Sequence, residues 1–396
     1  MGGGWRLVAG GWWLVVGKKS GERELAVSFS TNHQSPATSH IRSPSRLEKR
    51  SRYLSPVAAA PILSPSSMKS FELDVLVTRG EIVESKHRVH AAVVDERGAL
   101  IGVARDPSYV TPWRSCAKPF QVMPFLESGG FDKLGWGDDQ LALSCASHGG
   151  EPEHIALAES MLSDIGMEEG DLACGPHEPL SARGVRALRD SGGRPTRLHN
   201  NCSGKHAAML ARAHTAGWHS YGYEREEHPV QRCCLESVAK WSGLPQSEIG
   251  RAVDGCGAVV FSLPLESMAR AYATFARSAR DDDEVAGRIL HAMQTRPFLI
   301  GGTDRFDSIL IEETEGAVVA KIGAEGVHSV AVPARGLGIA IKVEDGAQRA
   351  QFASVIRVLQ HLDVLPAQLP PRLDEFVHRP IRNTRGEVVG ELRVEA

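Results

Sequence analysis

Apolar residues near the two ends of the chain follow patterns that are typical of β-strands. Residues 71–78 alternate in part between apolar and polar, and the apolar runs 89–94 and 99–103 flank a short turn that contains Gly98. Towards the other end, further apolar runs are separated by turns rich in glycine: 317–322, 327–333, 337–343 and 387–394. We therefore expect strands at both ends of the chain.

Apolar residues recur with the period of an α-helix in the middle of the chain and once more near its end. Gly or Pro residues punctuate these segments, which are 152–165, 204–217, 229–243, 264–278, 283–296 and 346–361. Strands at both ends with helices between them predict an α+β fold rather than a series of βαβ units. We expect one antiparallel sheet, formed by the amino-terminal and carboxy-terminal strands, with a helical middle region.

The first 67 residues differ in composition from the rest. They contain nine basic residues, three acidic residues and twelve serines, four of which precede a proline. Such a segment cannot bury enough apolar surface to offset the entropy lost on ordering. We therefore predict a disordered, basic, Ser/Pro-rich extension over residues 1–70 and a catalytic domain over residues 71–396. Met68 directly precedes the first predicted strand, so a protein that starts there is an alternative.

Composition narrows the class of protein. Of 396 residues, 42% are hydrophobic and 23% are charged, which permits a sizeable core. A net charge of −3 argues against a nucleic-acid binder held by bulk charge, and seven scattered cysteines do not form a disulfide framework. The apolar run 8–17 lacks a small-residue cleavage site after it, and no run reaches the ~18 residues of a membrane helix. We predict a cytoplasmic enzyme that acts on a small molecule, with no organic cofactor and no nucleic-acid or membrane partner.

The first segment that indicates catalysis is 114–119, with the sequence Arg-Ser-Cys-Ala-Lys-Pro. Ser115 and Lys118 are three residues apart, so they lie on one face of a helix. Pro119 has no amide hydrogen and is tolerated in a first helical turn, which places Ser115 at a helix N-terminus. A lysine amine can accept the proton of a hydroxyl nucleophile. The alternative is an ordinary helix start with a solvated lysine.

Two later segments add a second hydroxyl and a second lysine. Ser147 precedes His148 and two glycines in a predicted turn, and Lys321 lies at the end of a β run, followed by Ile322 and Gly323. Acyl-serine enzymes of the β-lactamase type combine S-x-x-K on a helix, a hydroxyl on a loop and K-T-G on an edge strand, in this order. The alternatives are a turn serine and an edge-strand lysine that deters aggregation.

A third segment, 199–206, concentrates polar groups immediately before an amphipathic helix. It contains Cys202, and Cys256 follows about fifty residues later between two glycines. Cysteine thiolates are good zinc ligands, but the spacing matches no known zinc motif. Small buried cysteines beside turns are the alternative.

Taken together, these segments resemble the asparaginase II family, the rhizobial-type L-asparaginases. The matching segments are 114–119, 147–151, 200–206, 254–257 and 321–326, and the resemblance extends from about residue 72 to residue 396. It implies a fold similar to serine β-lactamases and glutaminases. It also implies the hydrolysis of L-asparagine to L-aspartate and ammonia by a homodimer.

The resemblance implies roles for the catalytic candidates. Ser115 matches the nucleophile and Lys118 its base, while Ser147 and Lys321 match a second Ser-Lys pair beside the first. Ile322 stands where threonine is expected, which leaves substrate preference less certain than reaction class.

The resemblance also implies a metal site and a substrate pocket. Cys202, Lys205 and Cys256 match metal-binding residues, for which zinc is the expected metal. Lys205 is an uncommon ligand, since it binds metal only as a neutral amine. The candidate substrate ligands are the polar residues of the same segments: Arg114, Asn201, His206 and Asp254.

Three classes of function remain open at this point. The first is an amidohydrolase that acts on asparagine. The second is an acyl-serine hydrolase of another specificity, such as a glutaminase or a β-lactam-hydrolysing enzyme. The third is a non-catalytic amino-acid-binding relative, and two Ser-Lys pairs argue against it because binding alone requires no paired nucleophile and base.

Overall fold

The strands predicted at both ends of the chain are present in the structure, a computed structural model that describes residues 68–395. Within this range the strands are β1 (Lys69–Ser70), β2 (Val75–Arg79), β3 (Ile82–His87), β4 (Val89–Val94), β5 (Leu100–Ala104), β6 (Val110–Pro112), β7 (Gly250–Val253), β8 (Val259–Pro264), β9 (Val319–Ile322), β10 (Val327–Val332), β11 (Leu337–Val343), β12 (Arg379–Arg382) and β13 (Val388–Val394).

The helical middle region is present as well. The helices are α1 (Lys118–Glu127), α2 (Gly130–Lys133), α3 (Asp138–Cys145), α4 (Pro152–Ser163), α5 (Ala182–Asp190), α6 (Ser203–Thr215), α7 (Pro229–Ser242), α8 (Leu265–Arg280), α9 (Glu284–Thr295), α10 (Pro297–Ile300), α11 (Phe306–Glu313), α12 (Gln348–His361) and α13 (Pro371–Val377). Each helix predicted from the sequence corresponds to one of these, and the ends differ by at most two residues. None of these described helices is long and apolar enough to cross a membrane.

The predicted α+β class is confirmed, but the two ends of the chain build two sheets instead of one. The six-stranded sheet has the order β1-β5-β4-β11-β10-β9, and a four-stranded sheet has the order β12-β13-β2-β3. The strand β3 ends at His87 and β4 begins at Val89, so one extended segment passes from one sheet into the other. The exposed side chains of β3 give way there to the fully buried side chains of β4. A third sheet, β6-β8-β7, lies within the described residues.

The six-stranded sheet is covered on both faces. On β4, Ala92 and Val94 pack into one hydrophobic cluster with α8, while Ala91 and Val93 pack into another with α12. Burial on both faces explains why β4 and the strands beside it are mostly apolar and do not alternate between apolar and polar residues. The helix α8 approaches closely enough that a Cβ on Gly338 would lie 2.0 Å from the carbonyl oxygen of Ala269.

The amino-terminal edge of this sheet lies within the predicted extension. Lys69 and Ser70 form β1, which pairs in parallel with Gly102 and Val103 of β5. Strand pairing is therefore present two residues before the predicted boundary at residue 71. The disorder predicted for residues 1–67 lies outside the described residues.

At the opposite edge, β9 pairs only with β10 in the described sheet, so it is an edge strand. This is the position that the sequence pattern assigns to the segment with Lys321. The loop after α3 and the start of α1 supply the other polar groups at this edge.

Candidate active site

The segment with Ser115 and Lys118 begins a helix, as Pro119 predicts. Residues 114–117 form a 3-10 turn that runs into α1, and Pro119 lies in the first turn of α1. Arg114 has a φ of 53°, a left-handed conformation that costs a non-glycine residue about 1 kcal/mol or more. Its guanidinium forms an ion pair with Asp254 at 2.8 Å. Two candidate substrate ligands therefore bind each other in this structure.

Ser147 lies between the two candidate lysines. Its Oγ accepts a hydrogen bond from Lys321 Nζ at 2.8 Å and one from Lys118 Nζ at 3.3 Å. Lys118 also donates to the carbonyl oxygens of Ala146 and Asn201. All three side chains are buried, and Lys321 is 0% exposed. This burial excludes the alternative of a solvated edge lysine for Lys321 and of a solvated helix-start lysine for Lys118.

Ser115 has different surroundings. Its side chain is partly exposed, and its hydroxyl has no hydrogen-bond partner among residues 68–395. It lies one helical turn before Lys118, on the same side of the segment as that lysine. The accessible hydroxyl is therefore Ser115, while Ser147 joins the two lysines.

The loop that carries Ser147 is held in place by backbone and side-chain bonds. The amide of Ser147 donates to the carbonyl of Ile300 at 3.0 Å, and the amide of His148 donates to the carbonyl of Asn201 at 3.3 Å. His148 Nε2 lies 2.9 Å from Ser203 Oγ. Burial holds the pKa of His148 well below its usual value, so this imidazole is neutral and fixes the loop.

Glu151 is a buried carboxylate to which sequence reasoning assigned no role. Its oxygens accept hydrogen bonds from the backbone amide and the hydroxyl of Thr303 at 2.7 and 2.8 Å, and from Arg183 at 2.6 Å. Burial acts to raise the pKa of Glu151, but the bonds from Arg183 and Thr303 outweigh it and lower the pKa. Gly302 has a φ of 117°, and a Cβ there would lie 2.6 Å from Glu151 Oε1. Glu151 thus joins the Ser147 loop to the segment before α11.

Asp307 is a second functional candidate that the motifs did not include. Its Oδ2 lies 3.9 Å from Lys321 Nζ and accepts the amide of Ile322 at 2.8 Å. Burial lowers the pKa of Lys321 to about 8, and Asp307 opposes that shift. The contact depends on how α11 packs against β9, for which the sequence contains no spacing signal.

The predicted metal ligands lie together. Lys205 Nζ is 3.1 Å from Cys256 Sγ, and Cys202, Lys205 and Cys256 are all buried. Hydrogen bonding with Cys202 outweighs burial and, together with the Lys205 ammonium, lowers the pKa of the Cys256 thiol to about 4. Cys202 Sγ also lies 2.9 Å from Asn201 Oδ1. In residues 68–395, no three His, Cys, Asp or Glu side chains form a group that could hold a metal.

The other substrate candidates divide between these groups. Asn201 contacts Lys118 through its backbone and Cys202 through its side chain. His206 Nδ1 lies 2.7 Å from the hydroxyl of Tyr223, and burial holds the pKa of His206 well below its usual value. His206 Nε2 is buried without a hydrogen-bond partner in the described residues.

Comparisons with solved structures find distant similarities. The structure of Mglu in its native form has 14% identity and a TM-score of 0.40, with 71% of this chain and 65% of the Mglu chain covered. A beta-lactamase from Mycobacterium bovis has 12% identity and a TM-score of 0.37, with 69% of this chain and 94% of that chain covered. The aligned region thus spans slightly less than two thirds of Mglu. A comparison with curated protein sequences found no match.

The comparison with protein families is more direct. The model of the family described as L-asparaginase II matches residues 75–394, which is most of the chain and nearly all of its described part. The match includes the segments that carry Ser115, Lys118, Ser147 and Lys321. It also includes those that carry Cys202, Lys205 and Cys256. The chain therefore belongs to the L-asparaginase II family.

Proposed function

We propose that the protein hydrolyses L-asparagine to L-aspartate and ammonia through an acyl-serine intermediate. The observation that carries the proposal is the Ser147 hydroxyl, which is hydrogen-bonded to the buried amines of Lys118 and Lys321. Lys118 lies one helical turn after Ser115, whose hydroxyl has no partner among residues 68–395. A buried amine close to a hydroxyl is the arrangement that activates a serine nucleophile.

The arrangement supports a two-step reaction. Ser115 Oγ forms a bond to the side-chain amide carbon, and its proton passes to the amine of Lys118 and on through the Ser147 hydroxyl to the amine of Lys321. Lys321 returns this proton through Ser147 to the leaving nitrogen, so the C–N bond breaks and ammonia departs. Water then adds to the acyl-serine ester, which releases the carboxylic acid and restores the Ser115 hydroxyl. The lysines act as general bases and acids in both steps.

Arg114 and Asp254 are suited to the charges of an amino acid. The guanidinium can bind an α-carboxylate, and the carboxylate can bind an α-ammonium. The two groups are paired with each other at 2.8 Å, so a zwitterionic substrate can replace one ion pair with two. This supports an α-amino acid amide as substrate over an uncharged amide.

Cys202, Lys205 and Cys256 are the residues that would hold the expected zinc ion. Two cysteine sulfurs and one amine nitrogen provide three ligands of the kind that zinc binds and leave one position open. The Lys205 amine must lose a proton to bind metal; burial favours this loss, but the adjacent Cys256 thiolate opposes it and raises the pKa of Lys205. Bound zinc would supply a fixed positive charge that orients the substrate. Zinc, the homodimer and the cytoplasmic location stay predictions.

Ammonia release from asparagine, from glutamine and from no added amide, together with hydrolysis of a chromogenic β-lactam, tests the proposal. Rapid ammonia release from asparagine and slow turnover of the other two compounds is the expected result. Preferential release from glutamine, or hydrolysis of the β-lactam alone, would assign the other acyl-serine specificities. Binding of asparagine without turnover would leave only an amino-acid-binding role.

A further inference from the structure

A buried acid contacts the Lys321 end of the site from outside the family motifs. Asp307 lies in the first turn of α11 and is 2% exposed. Its Oδ2 is 3.9 Å from Lys321 Nζ, and the same oxygen accepts the backbone amide of Ile322 at 2.8 Å. One carboxylate oxygen therefore faces both the amine of Lys321 and the backbone that follows it.

The second oxygen of this carboxylate faces a buried histidine. Asp307 Oδ1 is 2.9 Å from His328 Nε2, and His328 is 0% exposed. The amide nitrogen of Gln351 donates to the carbonyl of Gly323 at 3.2 Å and lies 3.3 Å from His328 Nδ1. Gln351 Nε2 also donates to the carbonyl of Val327 at 2.5 Å, so carbonyl oxygens account for both of its hydrogens. Asp307 Oδ1 and His328 Nε2 have no hydrogen-bond partner among residues 68–395, so the two groups lie in contact without forming a hydrogen bond.

These contacts form a chain of polar groups that ends at Ser147, which lies between the two lysines. From the interior outward the order is Gln351, His328, Asp307, Lys321 and Ser147. A base that is oriented by a third group is a recurring arrangement around activated nucleophiles. A carboxylate that orients a base and balances its charge raises the rate without touching the substrate.

We infer that Asp307, which lies against His328, is a positioning residue that fixes Lys321 beside Ser147 and balances its charge when Lys321 holds a proton of the reaction. The inference rests on the proposed function, in which Lys321 takes and returns that proton. Asp307 itself makes no contact with substrate in this account.

The charges around Lys321 agree with this role. The pKa of Lys321 is lowered to about 8, chiefly by burial and also by the neighbouring Lys118. Asp307 is the strongest opposing group, and its own pKa is lowered to about 2, because His328 and Lys321 outweigh its burial. The other titratable groups that act on Lys321 are thiols, those of Cys116 and Cys202, and Lys321 in turn acts on the Cys145 thiol. Loss of Asp307 therefore lowers the pKa of Lys321.

A purely structural role for Asp307 makes a different prediction. Its bond to the Ile322 amide holds the end of β9, and any loss of this bond would displace Lys321 at every pH. Asp307→Asn keeps an oxygen that can accept the Ile322 amide but removes the charge. Asp304→Asn is the matched control, because Asp304 lies on the same segment, is exposed, and has a φ of 59° that asparagine tolerates.

The test is the rate at which phenylmethylsulfonyl fluoride modifies the active serine, followed by intact mass and peptide mapping from about pH 6 to about pH 10. In this reaction the serine oxygen bonds to sulfur, fluoride leaves, and the serine proton passes to the lysine amines. The rate of modification should rise with pH along an acid limb and reach a plateau. We expect Asp307→Asn to react about tenfold more slowly than the wild type on this plateau, and its acid limb to lie about one pH unit lower. Asp304→Asn should match the wild type in both respects.

The outcomes separate this inference from the proposed function. If the wild-type serine is modified but the protein releases no ammonia from asparagine, the proposed substrate is refuted. The comparison of serine modification between the variants would still be valid. In Asp307→Asn, an unchanged rate of serine modification, or a loss of rate that is equal at every pH, would overturn the positioning role. A wild-type protein whose serines are not modified would overturn it as well. If Asp307→Asn unfolds, His328→Gln leaves the charge of Asp307 and its bond to Ile322 in place and removes a group that stabilises this charge, so we expect the acid limb to move to higher pH. An acid limb that does not move in His328→Gln would overturn the positioning role.

Discussion

At the residue scale, Ser115 and Ser147 differ in the surroundings of their hydroxyl groups. Ser147 is buried and bonded to two lysines, so it is suited to move a proton between them. Ser115 is partly exposed and has no hydrogen-bond partner among the described residues, so it can reach a substrate. We assign the nucleophile to Ser115 for this reason.

The first prediction follows from this assignment. Ser115→Ala should lower kcat by about a thousandfold or more, because loss of a covalent nucleophile removes the whole acyl-serine route. The melting temperature should stay within a few degrees, since the hydroxyl has no partner to lose. Steady-state ammonia release and thermal unfolding provide the two measurements. If Ser115→Ala retained a tenth of the wild-type rate, Ser147 would be the better candidate for the nucleophile.

The second prediction concerns the protonation of Lys321. A buried lysine with a pKa of about 8 is mostly charged below that pH and mostly a free amine above it. The rate of acylation should therefore rise as pH increases through about 8 and level off above it. Single-turnover kinetics across this range measures the rise, with Lys240→Ala as an exposed control that should not change the profile. A profile without a rise near pH 8 would contradict a proton-accepting role for Lys321.

At the element scale, the apolar pattern located the long helices well because each combines a continuous amphipathic period with Gly or Pro at an end. It missed the strands β3, β7 and β12, whose side chains are mostly exposed and therefore have no apolar face. It also missed the short strand β6 and the mostly buried strand β8. It also predicted one sheet, because it could not show that the chain changes sheets between His87 and Val89. Sheet partners depend on tertiary packing that a local pattern does not contain.

The same limit applies to the site. Ser147 and Lys321 could be chosen from the sequence because each lies in a recognisable segment. The contact between Asp307 and Lys321 could not, because it arises when α11 packs beside β9. Glu151 was visible in its segment, but its partners Thr303 and Arg183 lie far away in the chain.

The third prediction concerns Glu151, which joins the Ser147 loop to the segment before α11. Glu151→Gln should lower the free energy of unfolding by about 3 kcal/mol, because it removes a buried charge that is bonded to Arg183 and Thr303. Glu153→Gln is the matched control: it removes a charge that pairs with the same arginine at a half-exposed position and should cost at most about 1 kcal/mol. Urea unfolding measures both. Equal losses in the two variants would show that burial of Glu151 has no special importance.

At the scale of the whole molecule, the predicted extension and the folded part meet at β1. A chain that starts at Met68 keeps the pairing of β1 with β5 and should retain full activity and melting temperature. A chain that starts at Phe71 loses this pairing and should melt at a lower temperature, with the site intact. Thermal unfolding of the two shortened chains and the full chain measures this fourth prediction. A clear loss of stability on removal of residues 1–67 alone would contradict it.

The fifth prediction concerns zinc. Protein purified without a chelator should contain about one equivalent of zinc, and Cys202→Ser should raise KM more than it lowers kcat, since the lysines already activate the serine. Elemental analysis and steady-state kinetics measure the two parts. Much less than half an equivalent of any transition metal, with full activity in EDTA, would leave the cysteines as small buried residues.

The most direct test of the central claim is to identify the residue that carries the acyl group during turnover. Protein mixed with asparagine and quenched within a turnover can be digested and its peptides examined by mass spectrometry. We expect an aspartyl ester on Ser115, and no ester in Ser115→Ala. An ester on Ser147, or rapid ammonia release with no acylated serine at any time point, would contradict it.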